Sequence, residues 1–161
     1  VAEYFGKEVL EQCKEDDVIE NVKAIREFAG DRAVLRAFHF FEENKRVDAE
    51  VEALEKKDFA TFFNKITESG DSSWKWLQNC YCNETPDEQS ITVALALTKL
   101  YLDKIGRGVC RVHGGGFAGV IAAFLPKEET EGFTKYINKA LGEGSAYVMH
   151  IRPQGAVKVE F

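Results

Sequence analysis

Over the first two thirds of the chain the hydrophobic residues recur at helical spacing; over the last third they take strand spacing. Val18, Val22, Ile25 and Phe28/Ala29 mark one face of an opening helix. Asp17 followed by Glu20 has the form of a capping box at its start, and Gly30 the form of its stop. A longer helix is predicted over residues 31–54, with Val34, Leu35, Phe38, Phe41, Val47 and Leu54 on its apolar side. Asp58 is placed to cap a further helix that carries Phe59, Phe62, Phe63 and Ile66 and stops at Gly70. A short aromatic helix with Trp74, Trp76 and Leu77 follows. The clearest helix start is Thr85-Pro86-Asp87-Glu88: Thr85 caps, Pro86 suits the first helical position and Glu88 completes the box. That helix runs to Ile105, with Gly106 as its C′ residue. It is apolar on most sides over residues 91–102, which predicts burial against a sheet.

Residues 109–112 and 120–125 read as strands flanking a glycine run, and Pro126 stops the second. Residues 128–141 form a helix with Phe133, Tyr136, Ile137 and Leu141 on one face. Residues 146–151 and 156–161 read as two further strands, joined by Arg152-Pro153-Gln154-Gly155 in the form of a type I turn. The β-β-α-β-β order predicts an α+β fold, an antiparallel four-stranded sheet backed by helices, with extra helices at the N-terminal side. No repeat or linker divides residues 1–161, so a single domain is expected.

A length of 161 residues suits that one domain. Hydrophobic residues at 45% and charged residues at 30% exclude a disordered or collagen-like chain. The most apolar stretch, residues 91–102, is broken by Thr92, Thr98 and Lys99 and is too short to span a bilayer, so no membrane partner is expected. Lys plus Arg number 21 against 27 Asp plus Glu, a net charge of −6 that argues against nucleic acid. A cytoplasmic protein is expected. Cys13, Cys80, Cys82 and Cys110 do not make a disulfide framework. Cys80 and Cys82 form a C-x-C pair, but no second Cys/His pair at ligand spacing joins it; reduced structural thiols and no metal site are expected. The start at Val1, with Met149 the only methionine, suits equally the removal of an initiator methionine and a segment of a longer protein.

The chemistry-bearing stretch is Arg111-Val112-His113-Gly114-Gly115-Gly116-Phe117-Ala118-Gly119-Val120. Four glycines in six residues open conformations closed to other residues and let a ligand or a second backbone approach. Successive N–H groups in such a turn form a concavity suited to phosphate oxygens. Gly114, Gly116 and Gly119 match G-x-G-x-x-G, but a dinucleotide site needs a helix next, and here a strand follows. No Gly-Lys-Ser/Thr follows for a P-loop, and no protein-kinase H-R-D or D-F-G occurs downstream. A tight hairpin that binds nothing remains the alternative.

The strand–glycine–strand segment resembles the third conserved motif of the GHMP superfamily of small-molecule kinases, which includes galactokinase, homoserine kinase and mevalonate kinase. The galactokinase form, Met-Thr-Gly-Gly-Gly-Phe-Gly-Gly, stands here as Val112-His113-Gly114-Gly115-Gly116-Phe117-Ala118-Gly119. Arg36-Ala37-Phe38-His39, with Glu43, Arg46 and Val47, resembles the galactokinase helix bearing Arg-Ala-x-His. The segment from Asp58 through Glu68-Ser69, with Ser72 and Ser73 behind it, is similar to the one ending Asn-Glu-Ser-His. The resemblance spans residues 31–161.

The resemblance implies the C-terminal half of a two-domain kinase, a ferredoxin-like unit whose parent transfers phosphate from ATP, with Mg, to the C1 hydroxyl of galactose or a related sugar. The catalytic Asp and main phosphate loop would lie in an N-terminal domain, so no catalytic residue is expected in this chain and the isolated chain would be inactive. Gly114, Gly115, Gly116, Phe117, Ala118 and Gly119 would form an ATP phosphate-proximal loop. His113 replaces the usual Thr and would lie near substrate or phosphate; Ala118 replaces a Gly. Those departures leave room for a non-catalytic sugar sensor or regulator of the same family. An apolar surface near Phe117, Trp74 and Trp76 would meet the N-terminal domain. His39, beside Phe38 and Phe40, reads as a structural histidine, and Glu42 and Glu43 as a solvated helix face. The Phe38/Phe40/Phe41 and Phe59/Phe62/Phe63 clusters read as core.

Overall fold

The computed structural model describes residues 1–116, 119–151, 153–155 and 157–158. Two single turns of 3-10 helix, Glu3–Phe5 and Leu10–Gln12, lead into helices α1 (Glu15–Glu20) and α2 (Val22–Ala29). The opening helix expected from the periodicity is therefore two helices, broken at Asn21, whose Nδ2 donates to the carbonyl of Asp17 at 2.8 Å. Asp17 is no cap: it lies inside α1, which begins at Glu15 behind Lys14. Glu15, Asp16 and Asp17 crowd the first turn, where carboxylates are favoured by the helix dipole. Gly30, at φ 84°, ends α2 and opens α3 (Asp31–Glu55).

The first half of α3 closes one core. Val34 and Ala37 pack with Val18 and Ile25, and Tyr4, Phe5, Leu10, Phe38 and Phe41 surround them. The long helix then runs on against α4 (Phe59–Ser72). Asp58 caps α4 as its position predicts: Oδ1 accepts from the Thr61 N–H at 3.0 Å and Oδ2 from the Thr61 hydroxyl at 2.7 Å. Asp58→Ala should lower stability by about 1 kcal/mol, read as a downward shift of the thermal midpoint. An unchanged midpoint would show that the cap is idle.

Gly70 does not stop α4, which continues to Ser72 and into a π-turn, Ser73–Leu77. A Cβ on Gly70 would stand 3.1 Å from the Cβ of Arg111 and 3.4 Å from the carbonyl oxygen of Cys110. Its bare Cα lets α4 lie flush on the first strand, β1 (Val109–Val112). The π-turn ends at Gln78, in the left-handed region at φ 57°, with its N–H on the Ser73 carbonyl.

Helix α5 (Ser90–Ile105) starts four residues later than expected. Thr85 to Glu88 is instead a turn closed by the Glu88 N–H on the Thr85 carbonyl at 3.0 Å. Pro86 suits the second position of such a turn as well as the first of a helix. Gln89 then ties the preceding chain to the helix start: Nε2 donates to the carbonyls of Cys82 and Thr85 at 2.7 and 3.1 Å. Gly106 closes α5 in the left-handed region, as expected. Ile91, Leu95, Thr98 and Leu102 form its single buried face, whereas Val93 and Leu100 are exposed. The expected burial on most sides is therefore reduced to one stripe.

Strand β1 pairs antiparallel with β2 (Ile121–Phe124) in the register Val109↔Phe124 to Val112↔Ile121. Cys80, Ile91, Leu95 and Val112 make the second core, between α5 and the sheet. Phe62 and Phe63 of α4 meet the ring of Phe124. A 3-10 turn, Lys127–Glu129, leads to the last helix, α6 (Thr130–Leu141).

The described residues thus hold helices and one two-stranded sheet, an α+β arrangement without the four expected strands. Among the described residues, 146–151 join no ladder, and Tyr147, Met149 and Ile151 are exposed. Alternation defines the faces of a strand, but a strand exists only through a hydrogen-bonded neighbour. Residues 156 and 159–161 of the last expected strand, and Arg152 of the expected turn, lie outside the described residues. Among the described residues no helix is long and apolar enough to cross a membrane.

Candidate functional site

The glycine turn joins β1 to β2. Its base is set by the His113 N–H on the Val120 carbonyl at 3.0 Å, one pair beyond the ladder. Gly114, Gly116 and Gly119 take φ of 68°, 72° and 86°, angles that side-chain-bearing residues rarely adopt. The four glycines are not equivalent. At Gly114, Gly115 and Gly119 an added Cβ would meet nothing within 4 Å among the described residues. At Gly116 it would stand 2.2 Å from the carbonyl oxygen of Asn79. Gly116 is buried, and the turn is seated through it on the chain after the π-turn. His113 is exposed beside this seat. Phe117 and Ala118 lie outside the described residues.

The seat is fastened by three side chains from two helices. Arg32 Nη2 donates to the Gln78 carbonyl at 2.9 Å and Arg36 Nε to the Leu77 carbonyl at 3.3 Å, both from the first turns of α3. From α5, the Thr92 hydroxyl donates to the Cys80 carbonyl at 2.8 Å. Trp74 and Trp76, on the same π-turn, are about one-third exposed, 38% and 36%.

Beneath the turn lies a charged cluster. Glu43 of α3 receives the Ser69 hydroxyl and, at 3.2 Å, Arg111 Nη1 on Oε1; Oε2 receives Arg46 Nε at 2.9 Å. Arg111 Nε also donates to the Val112 carbonyl at 3.1 Å. Burial pushes the Glu43 carboxyl up, but the Ser69 hydroxyl and the two guanidiniums outweigh it and hold the group below its usual range. Glu50, two turns further along α3, is pushed up by burial. Arg46 Nη2 is buried without a hydrogen-bond partner among the described residues.

Glu43 is therefore not the solvated face expected of it, whereas Glu42 is, paired with Lys45 at the surface at 2.6 Å. The available signal was Arg111 itself: an arginine inside an apolar strand demands an acceptor. His39 is the structural histidine expected, with Nδ1 2.9 Å from the Ser72 hydroxyl.

Burial lowers the His39 imidazole, and Arg46 and Arg111 add to this against the opposing pull of Glu43. A lowered folded value means that the unfolded chain takes up its proton first as the pH falls. Stability is then lost as the pH drops through the ordinary imidazole range of about 6.5. The depressed Glu43 carboxyl adds a second loss in the carboxylate range below it. The thermal midpoint should therefore fall from pH 7.5 to pH 5.5, and His39→Gln should flatten that fall. Parallel curves for the two proteins would remove His39 as the cause.

Burial raises the thiols of Cys80 and Cys110, and all four cysteines are free. Among the described residues no group of three His, Cys, Asp or Glu side chains is placed to hold a metal. An open groove beside α6, lined by residues including Asn138, Val148, Met149 and His150, includes none of the glycine-turn residues.

No protein-family model matches the chain. It is 31% identical over 139 residues to a galactokinase of Glaesserella parasuis serovar 5, an alignment covering 84% of this chain and 33% of the relative. A galactokinase of Actinobacillus pleuropneumoniae serotype 3 is 30% identical over 139 residues, with the same coverage of 84% and 33%. One of Haemophilus influenzae is 30% identical over 146 residues, covering 79% of this chain and 34% of the relative. The chain spans about a third of the length of these curated relatives. Over most of its own length the chain is thus similar to about a third of each of these bacterial galactokinases.

Proposed function

We propose that the chain is the C-terminal half of a GHMP-type sugar kinase whose parent transfers the γ-phosphoryl group of ATP to the C1 hydroxyl of galactose or a close relative. The observation that carries this is the pairing of galactokinase relatives with a glycine turn left open at Gly114, Gly115 and Gly119. An oxygen of ATP can approach a backbone where no Cβ or neighbour intervenes. The sugar oxygen bonds to the γ-phosphorus as the bond to the β-phosphate bridge breaks; ADP leaves, and the hydroxyl proton goes to a base. Such transfer depends on positioning and charge stabilisation. In this reading the base, the main phosphate loop and the sugar contacts come from an N-terminal domain. Mg would enter with the ATP phosphates. The π-turn with Trp74 and Trp76 offers that domain an apolar edge beside the glycine seat. The cytoplasm, where ATP is plentiful and thiols stay reduced, is the natural setting.

The test compares this chain with its full-length parent in ATP-dependent phosphorylation of a hexose panel. Turnover of galactose by the parent and none by the chain alone is the expected result. Robust turnover by the chain alone would overturn the division of labour. A parent that binds galactose without phosphorylating it would mark a sensor instead.

A further inference from the structure

We propose that Glu43 and Arg111 form a positioning pair that sets the path of β1 into the glycine turn, with Ser69 as its support; its catalytic consequence rests on the kinase reading above. Three elements meet at one carboxylate. Glu43 lies on α3, Ser69 on α4 and Arg111 on β1, and the carboxylate takes donors from all three. The guanidinium of Arg111 is fixed at two points, Glu43 and the Val112 carbonyl. The next residue, His113, begins the turn, and Gly114 follows.

The surroundings leave that side chain one course. Gly70 presses on the Cβ of Arg111 from α4 without a side chain of its own. The sheet partner of Arg111 is the small Ala122. Packing alone does not account for a charge here, because apolar residues of similar volume fill such a space without the desolvation penalty. Arg46 Nη2, buried without a partner among the described residues, adds an unsatisfied donor that lowers what the cluster contributes to stability. What a forked guanidinium on a fixed carboxylate supplies is direction. The pair makes the exit angle of β1, and hence the aim of the Gly114 and Gly115 N–H groups, depend on α3.

The experiment has two readouts. The first is amide hydrogen exchange on this chain, as wild type, Glu43→Gln and Ser69→Ala, with Glu42→Gln as the surface control. Exchange at the His113 amide, which is bonded to the Val120 carbonyl at the base of the turn, should quicken at least tenfold in Glu43→Gln, and less in Ser69→Ala, while Val18 and Ile25 in the first core keep their protection. The control should match wild type. Should Glu43→Gln fail to fold, Ser69→Ala decides. Unchanged exchange at the turn, or equal acceleration across both cores, would overturn the proposal. The second readout is steady-state kinetics of the parent: Glu43→Gln should lower kcat and raise KM for ATP, together at least tenfold in kcat/KM, with KM for galactose unmoved. An active parent indifferent to Glu43→Gln overturns the positioning role and leaves the kinase reading intact. A wild-type parent without any kinase activity overturns the kinase reading, and exchange at the turn then decides the pair's role.

Discussion

Gly116→Val should cost the chain about 3–5 kcal/mol of folding free energy, the sum of an overpacked contact and a β-branched residue held at positive φ. At this chain length that corresponds to roughly 10 °C in thermal midpoint. The contact is with backbone: the new Cβ would stand 2.2 Å from the Asn79 carbonyl oxygen and 2.8 Å from the Asn79 Cβ. Asn79 cannot retreat easily. It is buried, and the carbonyls just before it are held by Arg32 and Arg36 while the Cys80 carbonyl after it is held by Thr92. Circular-dichroism melts of Gly116→Val and wild type read the effect. Midpoints within two degrees or so would mean that the turn is not seated on Asn79.

The sequence treats Gly114, Gly115, Gly116 and Gly119 as one motif, and nothing local separates them. Only the fold shows that Gly116 carries the seat, whereas the other three meet no described neighbour. The same divide runs through the rest of the chain. Helix α3, the Asp58 cap, the Gly30 and Gly106 stops and the two strands were legible, because each follows from spacing and a terminal residue. Gly70 was misread as a stop because a packing glycine and a terminating glycine look alike in sequence. Thr85 was misread as a cap because Pro86 serves a turn and a helix start equally well.

Glu42 and Glu43 are neighbours with opposite fates, decided by Arg111, 68 residues away. The segments that resemble the galactokinase pattern are nevertheless those that meet: the α3 segment supplies Glu43, the α4 segment Ser69, and the strand before the glycines Arg111. A pattern of separated motifs acquires a physical cause when one carboxylate joins all three. The strand expected over residues 146–151 has a face in its alternation, but it pairs with no described strand, and Tyr147, Met149 and Ile151 stand exposed.

Gly115→Val in the full-length parent should leave the fold almost untouched and remove most of the activity. Gly115 is the one described glycine of the turn outside the positive-φ region, so a β-branched residue adds no backbone strain there. Its Cβ would meet no described atom within 4 Å. The melt should therefore stay within about 2 °C of wild type, surface substitutions of this kind being worth about 0.5 kcal/mol or less. Catalysis is another matter if the open space is where ATP phosphates and the neighbouring domain approach. Two added methyl groups would hold the phosphates off by an ångström or more, and a misplacement of about 1 Å can cost roughly a hundredfold in rate. Steady-state kinetics with ATP and galactose should show kcat/KM for ATP reduced about a hundredfold, by the same positioning argument. Gly116→Val cannot make this distinction, since it damages the seat and the site together. If Gly115→Val melts like wild type and also turns over like wild type, the turn is a hairpin that touches no nucleotide, and the phosphate assignment is wrong.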